Sequence, residues 1–197
     1  MRGPACRSQC SDRLALPLMH SPTHGGFDVR IAIRELRTPE ELDSLRGLWL
    51  ALHHHHRQVS SFDAFVVDDD ASWARRRATY AQWLAEGGSL MLVADADGQP
   101  VGHLAARLQD GPDDTFAVGA HYAELYSLSV HPRARSYGIG SRLLDELDRR
   151  LEQRGIQALS VAVLVDNVDA LRFYQRRGLE PVELVLRRIR SGDVREP

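Results

Sequence analysis

The chain has 197 residues, a length that fits one domain with a sizeable core. Hydrophobic residues make up 43% and charged residues 26%, and the formal net charge is -2. That is a globular composition without the basic excess of a dedicated nucleic-acid binder. No apolar run approaches the roughly 18 residues of a membrane-spanning helix. Neither nucleic acid nor membrane is therefore expected as a partner.

All 25 basic residues are arginine. Without lysine there is no Schiff-base lysine and no Walker-type phosphate loop. The two cysteines, Cys6 and Cys10, lie too close to the start of the chain to staple a core. They read as spectator thiols, so a reducing, cytoplasmic setting is expected.

Residues 1–26 contain Pro4, Pro17, Pro22, Gly25 and Gly26 and lack any sustained period. They read either as a disordered extension or as sequence ahead of a start at Met19. The folded domain is expected over 27–197.

Val29, Ile31 and Ile33 alternate with polar or small neighbours, which predicts a strand. Thr38-Pro39-Glu40-Glu41 reads as a capping box with proline at the first helical position. Leu42, Leu45, Trp49, Leu52 and His56 then form one apolar stripe. A second helix is predicted from the Asp68-Asp69-Asp70 run to Gly87, since acids suit a helix N-terminus.

Strands are predicted over Ser89–Ala94 and Val101–Leu108, with Asp95-Ala96-Asp97-Gly98-Gln99 as their hairpin. Asp110 to Gly119 reads as a polar loop, and Tyr122–Val130 as the next strand. A helix from Gly138 to Arg154 closes at Gly155. A strand at Ile156–Leu164, a short helix at Asn167–Arg177 closed by Gly178, and a last strand at Val182–Ile189 complete the chain. This order makes an α/β (α+β) fold, a mixed sheet carrying helices.

Charge is uneven. Residues 27–120 carry 9 Arg against 15 acidic residues, and residues 121–197 carry 13 Arg against 11. The basic half suits a polyphosphate ligand and the acidic half a cationic one. Scatter over solvated faces accounts for such small differences equally well.

Between Glu124 and Leu144 a strand ends, a loop with two glycines follows, and a helix opens. Unsatisfied N–H groups and the helix dipole make such a turn an anion site. Glycine lets the main chain approach phosphate oxygens closely. A dinucleotide fingerprint needs a third glycine where Leu143 stands, so that reading fails.

The segment Arg135-Ser-Tyr-Gly138-Ile-Gly140 instead fits Arg/Gln-x-x-Gly-x-Gly/Ala. It resembles the pyrophosphate loop of the GNAT superfamily of acetyl-CoA-dependent N-acetyltransferases. A second motif agrees. Asn167, Ala170, Tyr174 and Gly178 stand at offsets 0, +3, +7 and +11, as in that family's Asn-x-x-Ala-x-x-x-Tyr-x-x-x-Gly. One departure is Leu179, where the family usually has Phe. The resemblance covers roughly residues 28–190, with its specific motifs confined to 124–178.

The resemblance implies a mostly antiparallel central sheet, splayed parallel fourth and fifth strands, and about four flanking helices. It implies acetyl-CoA as the acyl donor. The pantetheine arm would pair with the fourth strand at Leu128, Ser129 and Val130. The pyrophosphate would lie on the amides of Arg135, Ser136, Tyr137, Gly138, Ile139, Gly140 and Ser141. Asn167 would help hold the cofactor arm. The family's final strand often builds dimers, so a homodimer is admitted.

The implied chemistry is attack of an amine on a thioester. An alkylammonium with pKa about 10.4 must first lose a proton. Glu124 lies fourteen residues before Gly138, where histone-acetyltransferase-type members of the family carry their catalytic Glu. It reads as the general base or as an ordinary strand carboxylate. Tyr174 reads as the acid that serves the departing thiolate, or as a core tyrosine. A main-chain N–H at Leu128 or its neighbour would polarise the carbonyl.

The run His53-His54-His55-His56 invites a metal reading, but four consecutive residues radiate around a helix and no His-Glu-x-x-His pattern follows. Solvent or cleft residues are expected there, with no metal. His103 and His131 read as structural. Trp49, Trp73, Trp83 and Tyr80 read as core or acceptor-wall residues. Arg133, Arg176 and Arg177 read as contacts to the nucleotide 3′-phosphate or as solvated surface.

The leading expectation is an N-acetyltransferase acting on a primary amine in a ternary complex. The acceptor would be a small cationic amine or a protein or peptide amine. The alternative is a non-catalytic acyl-CoA-binding or regulatory module of the same fold.

Overall fold

Ile31 and Ile33, the apolar side of β1 (Ile31–Glu35), face a core built mainly by the following strands. The computed structural model of the protein describes residues 30–111 and 114–189, so the extension expected over 1–26 lies outside it. Five strands stand side by side in sequence order: β1, β2 (Ser89–Ala96), β3 (Gln99–Asp110), β4 (His121–Val130) and β5 (Leu159–Val161). The first four are antiparallel, and β4 and β5 run parallel. This is the mixed, mostly antiparallel sheet expected.

The β2–β3 hairpin turns at Asp97 and Gly98, both with positive φ, the geometry a two-residue turn demands. Leu92, Ala94, Leu104, Ala106 and Leu125 point to one face of the sheet. There they meet α3 (Ile139–Glu152) and α4 (Val168–Gln175). Met91, Val93 and Ala105 point to the other, against α1 (Arg46–Val59) and α2 (Asp69–Glu86).

Local signals account for most of the helix ends. Asp68 caps α2 by accepting the Ala71 amide at 2.6 Å. Gly155 and Gly178 take positive φ just beyond α3 and α4. At Thr38, the Glu41 carboxylate accepts the Thr38 amide at 3.2 Å, as in the expected capping box. The first turns, Pro39–Leu45, are nevertheless a 3₁₀ helix that becomes α-helical only at Arg46. A 3₁₀ segment has three residues per turn, so the phase of the stripe shifts. His53, not His56, is the histidine in the core, and Leu48 joins it while Leu52 is only half-buried.

Two strands differ from expectation. The segment expected as Ile156–Leu164 pairs only over Leu159–Val161. The one expected as Val182–Ile189 forms no strand, and Leu186 is 86% exposed. Alternating apolar residues state a period, but a strand also needs a partner edge. Residues 182–189 pair with no strand among the described residues.

Helix α3 lies unusually close to the sheet at one point. A methyl on Gly102 of β3 would stand 3.0 Å from Ile139 Cγ2 and 3.2 Å from both Leu143 Cδ1 and the Ser129 carbonyl oxygen. The start of α3 is thus seated on a bare patch of β3. Arg142 donates to the Ile31 carbonyl at 2.8 Å, and Arg150 pairs with Glu35 at 2.6 Å, fastening the same helix to β1.

On the opposite face β4 carries hydroxyls. Tyr80 and Ser127 share a hydrogen bond of 2.6 Å, and Ser127 meets His103 Nε2 at 3.3 Å. Ser129 donates to the Leu48 carbonyl at 2.8 Å. His103 is buried, with Nδ1 unpartnered, and burial, then the Arg76 charge, depress its pKa to about 3.

Gly102→Ala should cost about 1–3 kcal/mol, read as a lower denaturation midpoint, because Ile139 and Leu143 must shift. An unchanged midpoint would contradict the seating of α3. His103 also predicts an acid response. Its folded pKa lies below the roughly 6.5 of an unfolded histidine, so its stabilisation is present above that pH. It is lost as pH falls towards 3, at up to about 1.4 kcal/mol per pH unit. Urea unfolding between pH 7 and 4 should show a shallower decline for His103→Gln than for the parent, and equal slopes would refute it.

Candidate active site

The parallel ladder between β4 and β5 spans Ala123–Leu125 and Leu159–Val161. Beyond it β4 keeps β3 on one side, and its other edge is free of β5 from Tyr126 to Val130. The register against β3 slips here: Ala105 faces Ser127 and Ala106 faces Leu125, so Tyr126 is an extra residue, a β-bulge. Leu128, Ser129 and Val130 lie along this notch. The Ser129 hydroxyl is committed to Leu48, so only its main chain is available there.

At the end of β4 a 3₁₀ turn, Pro132–Ala134, leads into the glycine loop. His131 Nδ1 accepts the Arg133 amide at 3.2 Å, giving that histidine a capping role. Ser136 and Gly138 take φ of 68° and 73°, and such left-handed residues turn successive amides into one concavity. The Arg142 amide bonds to the Gly138 carbonyl at 3.0 Å. The amides of Ile139, Gly140 and Ser141 come before this bond, at the positive end of α3. Arg135, Ser136, Tyr137 and Gly138 are exposed, so the loop is open to an anion.

Helix α4 stands beside that loop. A methyl on Gly140 would meet Phe173 Cζ at 3.7 Å and Val130 Cγ2 at 3.8 Å, ordinary contact distances. Tyr174 follows Phe173 and is 8% exposed, packed in the same cluster as Leu125 and Leu144. Among the described residues none hydrogen-bonds its hydroxyl, although buried tyrosines usually find a partner. Burial pushes its pKa up to about 12. Asn167 is 6% exposed and caps α4, its Oδ1 accepting the Ala170 amide at 3.2 Å.

Glu124 sits inside the ladder, half-buried, on the α1–α2 side of the sheet. Gln109 Nε2 donates to its Oε2 at 3.2 Å. The bulged Tyr126 is 42% exposed and packs edge-on to Trp83 at 4.6 Å. Burial, then the Glu124 carboxylate, push the Tyr126 phenol up. The fold therefore gathers Tyr174, Asn167 and the glycine loop on the α3–α4 side and leaves Glu124 on the other, with the notch between. Across the mouth, Ser61 of the α1–α2 loop donates both its amide and hydroxyl to Asp166, each at 2.8 Å.

The histidine run is dispersed. His53 Nε2 meets the Val66 carbonyl at 2.8 Å and its ring stacks on Trp49. His54 pairs with Asp69 at 2.8 Å. Burial, then the neighbouring histidines and Arg76, depress His56 to about 4. Among the described residues no three His, Cys, Asp or Glu side chains are arranged to hold a metal. Arg177 is taken up by Asp145 of α3, while Arg133 and Arg176 are exposed.

Some features were not anticipated from the sequence: the Tyr126 bulge, the Tyr80–Ser127–His103 chain, and Arg76, whose guanidinium lies 4.2 Å from the Trp49 ring centroid. Three consecutive arginines, Arg75 to Arg77, carry no signal that singles out the middle one. A cavity of about 430 Å³ lies at the far end of β4, beside His121 and Arg154, away from the glycine loop. No described helix is long and apolar enough to cross a membrane.

Similar folds occur among solved structures. A GCN5-related N-acetyltransferase from Ralstonia eutropha JMP134 superposes with a TM-score of 0.64 at 20% identity, covering 81% of this chain and 99% of its own. A predicted acetyltransferase with acetyl-CoA from Clostridium acetobutylicum gives 0.60 at 14% identity, covering 81% and 96%. An aminoglycoside acetyltransferase from an uncultured soil metagenomic sample gives 0.58 at 17% identity, covering 84% and 99%. Residues 49–179, which include the notch, the glycine loop and the Tyr174 helix, match the sequence model of one family, and the chain belongs to it: the Acetyltransferase (GNAT) family.

Proposed function

We propose that the protein transfers an acetyl group from acetyl-CoA to a primary amine, by direct attack of the amine within a ternary complex. What supports this reading above all is the Tyr174 hydroxyl. It has no protein partner among the described residues, and its helix is packed onto the glycine loop beside the free edge of β4. The described core contains no cysteine to carry an acetyl-enzyme, since Cys6 and Cys10 are the only two.

In this mechanism the pantetheine amides pair with the β4 edge at Leu128, Ser129 and Val130, as an added strand would. The diphosphate rests on the amides from Arg135 to Ser141. A β4 amide at or beside Leu128 donates to the thioester oxygen as charge develops there. Glu124, directly or through water, accepts the ammonium proton, and the freed nitrogen lone pair forms the new C–N bond. The C–S bond then breaks and Tyr174 hydrogen-bonds or protonates the thiolate, while the second proton, lost by the nitrogen as the amide forms, restores the phenol or leaves to solvent. With its pKa raised to about 12, the phenol still holds its proton at neutral pH.

Tyr174→Phe should lower kcat about 10²-fold while leaving acetyl-CoA affinity nearly intact. In the parent, Tyr174 should add no falling limb to the pH–rate profile below about pH 10, the ordinary tyrosine value. A Phe variant with full turnover would remove the acid from the mechanism. Glu124→Gln should lose about 10²-fold in kcat/KM at pH 7, with the deficit shrinking as pH approaches the pKa of the amine itself. A deficit of constant size at every pH would speak against a base.

A further inference from the structure

Arg76 of α2 is half-buried against the sheet face that carries Glu124. Its guanidinium lies 4.2 Å from the Trp49 ring centroid and 5.3 Å from that of Tyr80. Stacking on aromatic faces uses the plane of the guanidinium and leaves its N–H donors at the edge, where one of them meets the Tyr80 hydroxyl.

No carboxylate among the described residues comes within 4.0 Å of Arg76, whereas Arg46, Arg77 and Arg107 are neutralised, and Arg57 and Arg75, which also lack a carboxylate, are exposed to solvent. Arg46 pairs with Asp70, Arg77 with Asp43, and Arg107 with Glu86, all at 2.6–2.8 Å. Arg77 and Arg107 are half-buried like Arg76 and each has a counter-charge, which a partly desolvated cation needs more than an exposed one. The groups around Arg76 offer none. His56 and His103 are kept neutral at pH 7, and Tyr80 is a buried phenol. The field of Arg76 also reaches Tyr126, the exposed bulge residue that adjoins Glu124. The Glu124 carboxylate and the Arg76 cation thus both act on the exposed Tyr126 phenol.

We propose that Arg76 is the acceptor-recognition residue, and that the amine this protein acetylates also carries a carboxylate, which Arg76 binds through the N–H donors that Tyr80 does not take while the nitrogen lies towards Glu124. This rests on the transferase reading above and narrows it. A carboxylate matches the guanidinium fork with two parallel hydrogen bonds and balances its single charge. A polycationic amino sugar would instead bring like charge against it.

The test is a thiol-release assay with acetyl-CoA and matched acceptor pairs: free amino acids and dipeptides against the same compounds with the carboxylate converted to a carboxamide. At least a tenfold higher kcat/KM for the acid of a pair is expected, carried mainly by KM. In Arg76→Gln the acid-to-amide ratio should collapse towards one, and in Arg76→Lys it should partly return. Thermal melting of each variant shows whether it is folded, and the ratio within one variant is insensitive to loss of total activity. Amides accepted as well as acids, or a preference that survives in Arg76→Gln, would overturn the proposal and leave acetyl transfer standing. If neither these pairs nor a wider panel of amines is acetylated while coenzyme A still binds, acetyl transfer itself falls, and this assignment with it.

Discussion

The parallel pairing of β4 with β5 lasts three residue pairs and then stops. Most of what distinguishes this fold depends on that short ladder. Unpaired strand edges are exposed hydrogen-bonding templates, and proteins normally cover them. Here the free edge of β4 runs into a loop whose amides also precede a helix ladder. Two sets of main-chain donors and acceptors are therefore left open in succession. A ligand with an extended diamide arm joined to a diphosphate would satisfy both, and the protein would need few specific side chains to read it.

A strand with one free edge must be held by other means. β4 is held from behind by hydroxyls, with Ser127 bonded to Tyr80 and His103, and Ser129 to the Leu48 carbonyl. Elsewhere the sheet faces rely on Leu, Val, Met and Ala. Satisfied buried polar contacts fix a strand more specifically than apolar packing, because each has one good geometry. Gly102 contributes from the other side by allowing α3 to sit directly on β3, so that the glycine loop is placed by a packed core and not by its own stiffness.

The turns and helix ends around the proposed donor half were legible in the sequence because local rules encode them. Gly155 and Gly178 close helices with positive φ, and the Asp97-Gly98 turn belongs to a hairpin. Each of these is decided within a few residues. The last strand and the full length of β5 were misread because pairing is decided elsewhere in the chain. The alternation from Val182 to Ile189 has the right period and still finds no edge. The histidine run was misphased because proline and a capping box began a 3₁₀ turn where an α-helix was expected. Arg76 was invisible for a related reason. Its setting comes from Trp49 on α1 and Tyr80 one turn along α2, and from the carboxylate that pairs with neighbouring Arg77 instead.

The bulge at Tyr126 links the two halves physically. An extra residue in β4 raises the local twist, and it occurs where β5 parts from β4. It also places Tyr126 and Ser127 consecutively on the α1–α2 face, against the usual alternation, with Tyr126 on Trp83 and Ser127 on Tyr80. One irregularity thus frees the edge on one side of the sheet and crowds aromatic and hydroxyl groups onto the other, between Glu124 and Arg76. A change that repaired the bulge would restore alternation and move Tyr126 off that face. It would disturb the edge proposed for the donor and the wall proposed for the acceptor together, so the two cannot be tuned independently at this point in the strand.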